Sequence, residues 1–473
     1  MVPADAGGDL MRGDLLSDPV EGLDEALAVV DAFDGVLVTG LLRPGPAQAT
    51  AVAGLAEAVA GTPLAVRVAE AAGRVTAGAA GEDDFVALAA ARSALLGSVH
   101  DALALRIDEA VGRPGPEEMP APAAGPEQGT NLLAAARSWL CDLARSGWRG
   151  IDHELVAGAA PVVSAMLPDP GLRRRATLLD GFAAELAASC PGSTLERVPV
   201  RRWADLWSRA LLLTVPGSAG ERPAGAVTGR LLPLGVDVQE HATAVQAQVH
   251  AVFEPADGGA PRLVRAGVSA PKPDTVVGAG LWQLLRPHMS LLGAASEGRS
   301  MELDAMPVTV EGDLVWDDER ARPGEPADAF ATARVMLSAA TAARVAPLDR
   351  HPVRIAVPVL LEGYTTRSDE GRLAFDLAGL PVAVDTDRMP AAGPLTPEAV
   401  AASGACVGLL RWDAGEFLLQ PLAVETTVRK KTVAVHAGAW AGGTTDKAGV
   451  RAEKAATDAV AVLRERAGRL LRK

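Results

Sequence analysis

The chain of 473 residues is 49% hydrophobic and 22% charged, which excludes wholesale disorder and suggests two to four domains at about 100–200 residues each. Its 45 Lys and Arg against 59 Asp and Glu leave a net charge of −14, which excludes a uniformly basic nucleic-acid-binding protein. Three scattered cysteines, Cys141, Cys190 and Cys406, make no disulfide framework, zinc ribbon or iron–sulfur cluster.

Residues 1–18 mix Asp and Gly with a lone Arg12 and lack the apolar stretch of a secretory leader. No uncharged apolar run reaches the roughly 18 residues of a membrane span. The expectation is a cytoplasmic protein with reduced thiols and no membrane insertion. Abundant alanine beside 49 Gly, 34 Pro and 3% aromatics points to GC-rich coding, so Pro and Gly punctuate structure less reliably here than usual.

In residues 21–33, Leu23, Ala26, Leu27 and Val30 fall on one face of a 3.6-residue period. The β-prone run 36–38 is expected to interrupt before Pro44. The clearest helix is 82–111: three acids open it, and Phe85, Leu88, Leu95, Val99, Leu103, Ile107 and Ala110 form its stripe. Five prolines then make 113–129 an exposed linker. Helices resume with Thr130 or Asn131 as N-cap and a stripe of Leu132, Ala136, Trp139, Leu140 and Leu143 that stops at Gly147. Further helices are expected over 154–166, 172–188 and 200–213, the last with Trp203, Leu206, Trp207, Ala210 and Leu213 on one face.

Near residue 220 the period changes from 3.6 to 2. Val245, Ala247, Val249, Ala251 and Phe253 alternate with Gln246, Gln248, His250 and Val252, and 353–361 alternates likewise. Other strand-like runs are 263–268, 308–316, 373–384, 407–412, 417–424 and 432–437. The fold class that follows is α+β: a helical domain (1–112 and 130–220, around the linker 113–129), a mostly antiparallel β domain (221–441) and a basic C-terminal helix (442–473). The β domain can be read as two related units, 226–318 and 352–425. Residues 306–311 echo 420–425, each beside a Trp-Asp step, and 231–235 echo 356–360.

Charge is segregated. Residues 425–473 carry most of the local basic excess, led by Arg429, Lys430, Lys431 and the arginines of the tail. Such a segment suits an acidic body or an acidic partner. Nucleic acid is not expected as that partner, because Trp440 is the one aromatic residue among these cations.

Motifs for chemistry are missing. There is no phosphate-cradling G-x-x-x-x-G-K-[ST], no G-x-S-x-G elbow and no zincin pair beside His153. Gly278-Ala279-Gly280 reads as a turn, and Pro271 denies the helix that Ser269 and Lys272 would need to act as a nucleophile pair. Asp385-Thr386-Asp387 reads as a turn after a strand. The one cluster worth weighing as a metal or dispersed catalytic site is Asp237, Glu240, His241 and His250, whose spacing fits no known ligand pattern. Trp316 and Trp412, beside Asp residues at strand ends, are candidate interface anchors together with Arg429, Lys430 and Lys431. The expected function is therefore non-catalytic: a cytoplasmic binding or scaffold protein without cofactor, presenting helical and β surfaces to partner proteins in a larger assembly. An enzyme with a site around Asp237, His241 and His250 is the first alternative, and a nucleic-acid-binding β-barrel the second.

Overall fold

The computed structural model describes residues 12–115, 129–169, 171–215, 225–241, 244–273, 275–343, 345–369, 371–377, 379–444 and 447–470. Most of the expected linker 113–129 and the expected boundary near residue 220 lie outside them.

Among the described residues ten α-helices come first: α1 (Gly13–Ser17), α2 (Leu23–Thr39), α3 (Pro46–Ala58), α4 (Ala65–Thr76), α5 (Glu82–Val111), α6 (Thr130–Ser146), α7 (His153–Ala157), α8 (Ala159–Met166), α9 (Arg173–Ala188) and α10 (Val200–Leu212). α5 keeps the bounds its sequence suggests. The Asp84 carboxylate accepts from the Gly81 N–H at 2.8 Å at its start, and Gly112 in the left-handed region ends it. The run 36–38, expected to break the preceding helix, instead lies inside α2. Phe33, Val36 and Leu37 are buried there, and packing outweighs the β preference of valine. Thr130 opens α6, while the cap position belongs to Gly129 rather than to Thr130 or Asn131. α2 ends at Gly40 and α6 at Gly147, both at positive φ, and these two glycines meet backbone to backbone. A Cβ on Gly147 would stand 2.3 Å from the Gly40 nitrogen.

Helices before and after residues 116–128 share one core, including Phe33, Phe85, Trp148, Phe182, Trp203 and Trp207. α5 is about 45 Å long at 1.5 Å per residue. Its stripe divides: Phe85 to Leu96 serve the helical core, whereas Val99, Leu103 and Ile107 pack under the second sheet described below.

The remainder is mostly antiparallel β. The first sheet holds β1 (Gly225–Glu240), β2 (Ala244–Pro255), β3 (Arg262–Pro271), β4 (Arg299–Val308), β5 (Asp313–Leu314) and β6 (Ala321–Pro326), with α11 (Leu281–Leu284) and α12 (Met289–Glu297) between β3 and β4. α13 (Ala329–Met336) follows. The second sheet holds β7 (Val357–Glu362), β8 (Thr365–Asp369), β9 (Arg372–Leu377), β10 (Leu380–Val384), β11 (Ser403–Asp413), β12 (Glu416–Val428) and β13 (Lys431–His436), with α14 (Pro397–Ala401) before β11. α15 (Lys447–Leu470) closes the chain and touches residues 278–280 and α11. The expected strand over 308–316 reduces to the end of β4 and the two-residue β5. That over 353–361 begins only at Val357, after a tight turn at 352–354. A β-barrel is not supported: the second sheet is open, with β7 and β8 at its ends, and although the pairings of the first return from β4 to β1, the circuit passes through the two-residue β5, which meets β3 at two residue pairs and β4 at one.

Two paths through the sheets agree step by step. The series β1-β4-β5-β3-β2 and the series β7-β11-β12-β10-β9 are both antiparallel, antiparallel, parallel, antiparallel, and a helix directly precedes both β4 and β11. The sheets meet in part through an apolar seam. Leu232, Leu234 and Val252 pack with Ala405, Val407 and Ala423, and Phe330 of α13 and Leu337 just past its end join the same cluster.

Candidate interaction surface

Strand alternation decides where Asp237 and His250 go. On β1, Val236 and Val238 face the first sheet's own core, so Asp237 faces the second sheet. There its carboxylate accepts from Arg411 Nη2 at 3.1 Å, Gln420 Nε2 at 2.8 Å and Gln239 Nε2 at 3.1 Å, while Arg411 Nε donates to Gln420 Oε1 at 2.5 Å. His250 pairs with Gly235 on the same face and is 1% exposed. Its Nε2 has no hydrogen-bond partner among the described residues. Burial pushes its pKa down to about 3, against the attraction of Asp237. Leu422 closes the space in front: a Cβ on Gly235 would lie 2.6 Å from Leu422 Cβ.

The residues weighed as a metal or dispersed catalytic site, Asp237, His241 and His250, do not all come together: His241 stands apart from the other two. His241 is exposed, six residues past the register partner of His250, about 20 Å along the strand. Glu240 beside it pairs with Lys272 at 3.3 Å. Among the described residues no group of three or more His, Cys, Asp and Glu side chains is placed to hold a metal ion. The Asp237 carboxylate is committed to a guanidinium and two amides, and through Arg411 and Gln420 it ties the first sheet to the second.

A second polar network was not visible in the sequence. Arg92, buried mid-way along α5, donates to Asp34 of α2 through Nε at 2.6 Å and Nη2 at 2.8 Å, to Asp205 of α10 at 2.7 Å and to Ser208 at 3.1 Å. His351 Nε2 reaches Asp205 at 3.1 Å, and its Nδ1 accepts from the Val353 N–H at 3.3 Å, so Nε2 carries the hydrogen given to Asp205. Burial raises the pKa of Asp34, opposed by Arg92. For Asp205, burial pulls upward, but His351 and Arg92 outweigh it and hold the carboxyl low. Beside this network, Arg209 and Arg354 converge on Asp349 at 2.8 and 2.6 Å. Together these contacts fasten the segment 346–354, which joins the two sheets, to the helical body.

The proposed interface anchors separate. Trp412 is 6% exposed and packs with Leu410, Cys406 and Leu419 in the second sheet's core, so its ring is a packing element of this chain rather than an exposed anchor. Trp316 is half-buried, and its Nε1 donates to Asp318 at 2.8 Å. Phe, Tyr and Trp rings are nowhere fully exposed among the described residues: Trp316, Phe417 and Trp440 are half-buried and the others buried.

Arg429, Lys430 and Lys431 do stand in water, at the tip of the β12–β13 hairpin. The two turn residues sit at φ +49° and +64°, a mirror-image turn that glycine and asparagine adopt easily and long side chains adopt at a cost of about 1 kcal/mol or more each. None of the three cations has an ion pair among the described residues. The nearest acid along β12, Glu425, is held by Arg334, which also grips Glu362. Among the described residues β13 pairs with β12 alone, and its residues 431–434 are exposed. The basic residues Lys447, Arg451 and Lys454 of α15 are exposed as well. Among the described residues no helix is long and apolar enough to cross a membrane. The chain matches no protein family, and no curated protein or solved structure is significantly similar to it.

Proposed function

We propose that this chain is a non-catalytic binding protein whose helical body and two related β units, 226–318 and 352–425, act as a rigid mount holding the β12–β13 hairpin toward a partner protein. The observation that carries this reading is the hairpin itself: an exposed strand edge beside three cations with no ion pair among the described residues, on a turn that spends stability to keep Arg429 and Lys430 where glycine would fit. The polar groups with catalytic chemistry support the same reading, since Asp237, Arg92, Asp34 and Asp205 are consumed by one another and by neighbouring amides. Three free thiols suit a cytoplasmic setting. The test is site-specific photo-crosslinking in the producing cell, with the photoreactive residue at Thr432 and, as control, at exposed Glu70 on α4. A discrete adduct from position 432, absent from position 70 and suppressed by Arg429→Glu with Lys430→Glu and Lys431→Glu, is the expected result. Equal labelling at both positions, or none, refutes the reading.

A further inference from the structure

We infer that the partner docks as an acidic extended segment that adds to the free edge of β13 as one more strand and sets carboxylates against Arg429, Lys430 and Lys431. This rests on the hairpin being the binding surface and specifies what binds there. The pairing register supplies the geometry. Val428 and Lys431 flank a two-residue turn, so they form the hydrogen-bonded pair that closes it, and bonded and non-bonded pairs then alternate along the hairpin. Lys431, Val433 and Val435 therefore turn their N–H and C=O groups toward β12. Thr432 and Ala434 turn theirs outward, where neither has a hydrogen-bond partner among the described residues. Two residues of alternating outward donors and acceptors are the footing that an added strand uses.

Neither a proline nor a bulge blunts this edge: β13 holds no proline, and its register with β12 runs unbroken from Lys431 to His436. Lys431 alone would serve as a guard against unwanted pairing. A guard has no use for Arg429 and Lys430 in the left-handed region, where Asn-Gly would fold more easily, whereas a site that selects carboxylates does. Val433, 41% exposed, lies between the cations and the core side chain Val435, so the segment that fits carries an apolar residue among its acids. A second copy of this chain would bring the same cations to the edge, and nucleic acid could neither continue the main-chain ladder nor find an exposed aromatic ring.

The experiment uses the full chain and a fluorescein-labelled peptide of about ten residues that alternates Glu with Val and Thr. It is compared with a peptide alternating Glu with Pro, which keeps the carboxylates but lacks half the N–H donors. The first should bind, and the second at least about tenfold more weakly. Binding of the first should fall at least about tenfold with Arg429→Glu, Lys430→Glu and Lys431→Glu together, fall on raising salt from about 0.05 to 0.5 M, and fall similarly with Ala434→Pro, which removes an outward N–H and no bond to β12. If neither acidic peptide binds, the inference is overturned. If charge reversal abolishes binding while the Glu-Pro peptide and Ala434→Pro bind as well as their counterparts, strand addition fails and the hairpin survives as a charged surface. If charge reversal changes nothing, the hairpin reading falls too. Sedimentation showing a dimer of the chain that Ala434→Pro dissociates would give the edge to a second copy and overturn the inference.

Discussion

His250 makes the junction between the sheets sensitive to acid, and replacing it by leucine should remove part of that sensitivity. Burial holds its pKa down at about 3 from a normal value of 6.5, with Asp237 opposing the shift and Arg265 and Arg411 adding to it. Between those values the unfolded chain binds a proton that the folded chain refuses, so stability is full above pH 6.5 and drains as pH falls toward 3. The slope is about 1.4 kcal/mol per pH unit for one proton, so about 2 kcal/mol is lost between about pH 6.5 and 5, before most carboxylates titrate. His100 and His436 are also held low by burial and add their own slopes, but these are common to both proteins. At neutral pH, His250→Leu removes an unsatisfied buried Nε2 and should leave stability about equal. Urea unfolding of both proteins at about pH 7 and pH 5 should therefore show the variant gaining about 2 kcal/mol on the wild type at the lower pH. Parallel losses, equal to within about 0.5 kcal/mol, would refute the argument that a neutral imidazole is locked in this seam.

The Arg92 network should show the asymmetry of a buried ion pair: Arg92→Leu alone strands Asp34 and costs about 3–5 kcal/mol, while adding Asp34→Leu recovers much of it, as thermal or urea unfolding would reveal. Replacing Arg429 by Asn and Lys430 by Gly relieves two positive-φ residues and should stabilise the hairpin by about 1–2 kcal/mol while weakening acidic-peptide binding, a trade visible by measuring both on one protein. Native thiol titration should label half-buried Cys190 first. Cys141 is pushed up to about 12 by burial and Cys406 is pushed up further, and both should react only on unfolding.

What could be read from the chain depended on how local its cause was. α5 was legible to its ends because an acidic first turn and a terminal glycine are sequence-adjacent signals. α2 was cut short at 36–38 because the packing of Phe33 and Leu37, which holds those valines helical, involves helices far along the chain. α12 and α13 escaped notice since alanine and glycine blur the apolar stripe of Leu291 and Leu292 and of Phe330. Of the two internal echoes, 231–235 with 356–360 falls on β1 and β7, which hold matching places in their sheets. The other sets β4 against β12, although β4 corresponds in pairing to β11. A proline followed by valine or leucine on a strand recurs too easily to mark register.

The functional residues divide along the same line. The cations at 429–431 were visible as charge, but their turn was not, because the usual hairpin signal is a glycine or asparagine and here neither is present. Asp34 and Arg92 are 58 residues apart, and Asp237 and Arg411 are 174 apart, so no spacing rule links them. Period alone nonetheless carried more than was taken from it. On β11, Cys406, Leu410 and Trp412 occupy one face and Val407, Leu409 and Arg411 the other, and every one of the six is buried. A strand apolar on both faces must be covered on both, which already denies Trp412 the role of an exposed anchor. An arginine on such a face needs a buried acid to meet it, and Asp237, the lone acid among the apolar residues of 231–238, was the one available on an equally two-sided strand. Read this way, the charged residue stranded in an apolar run is the sequence's best pointer to a long-range contact, and the exposed run of like charge its best pointer to a partner.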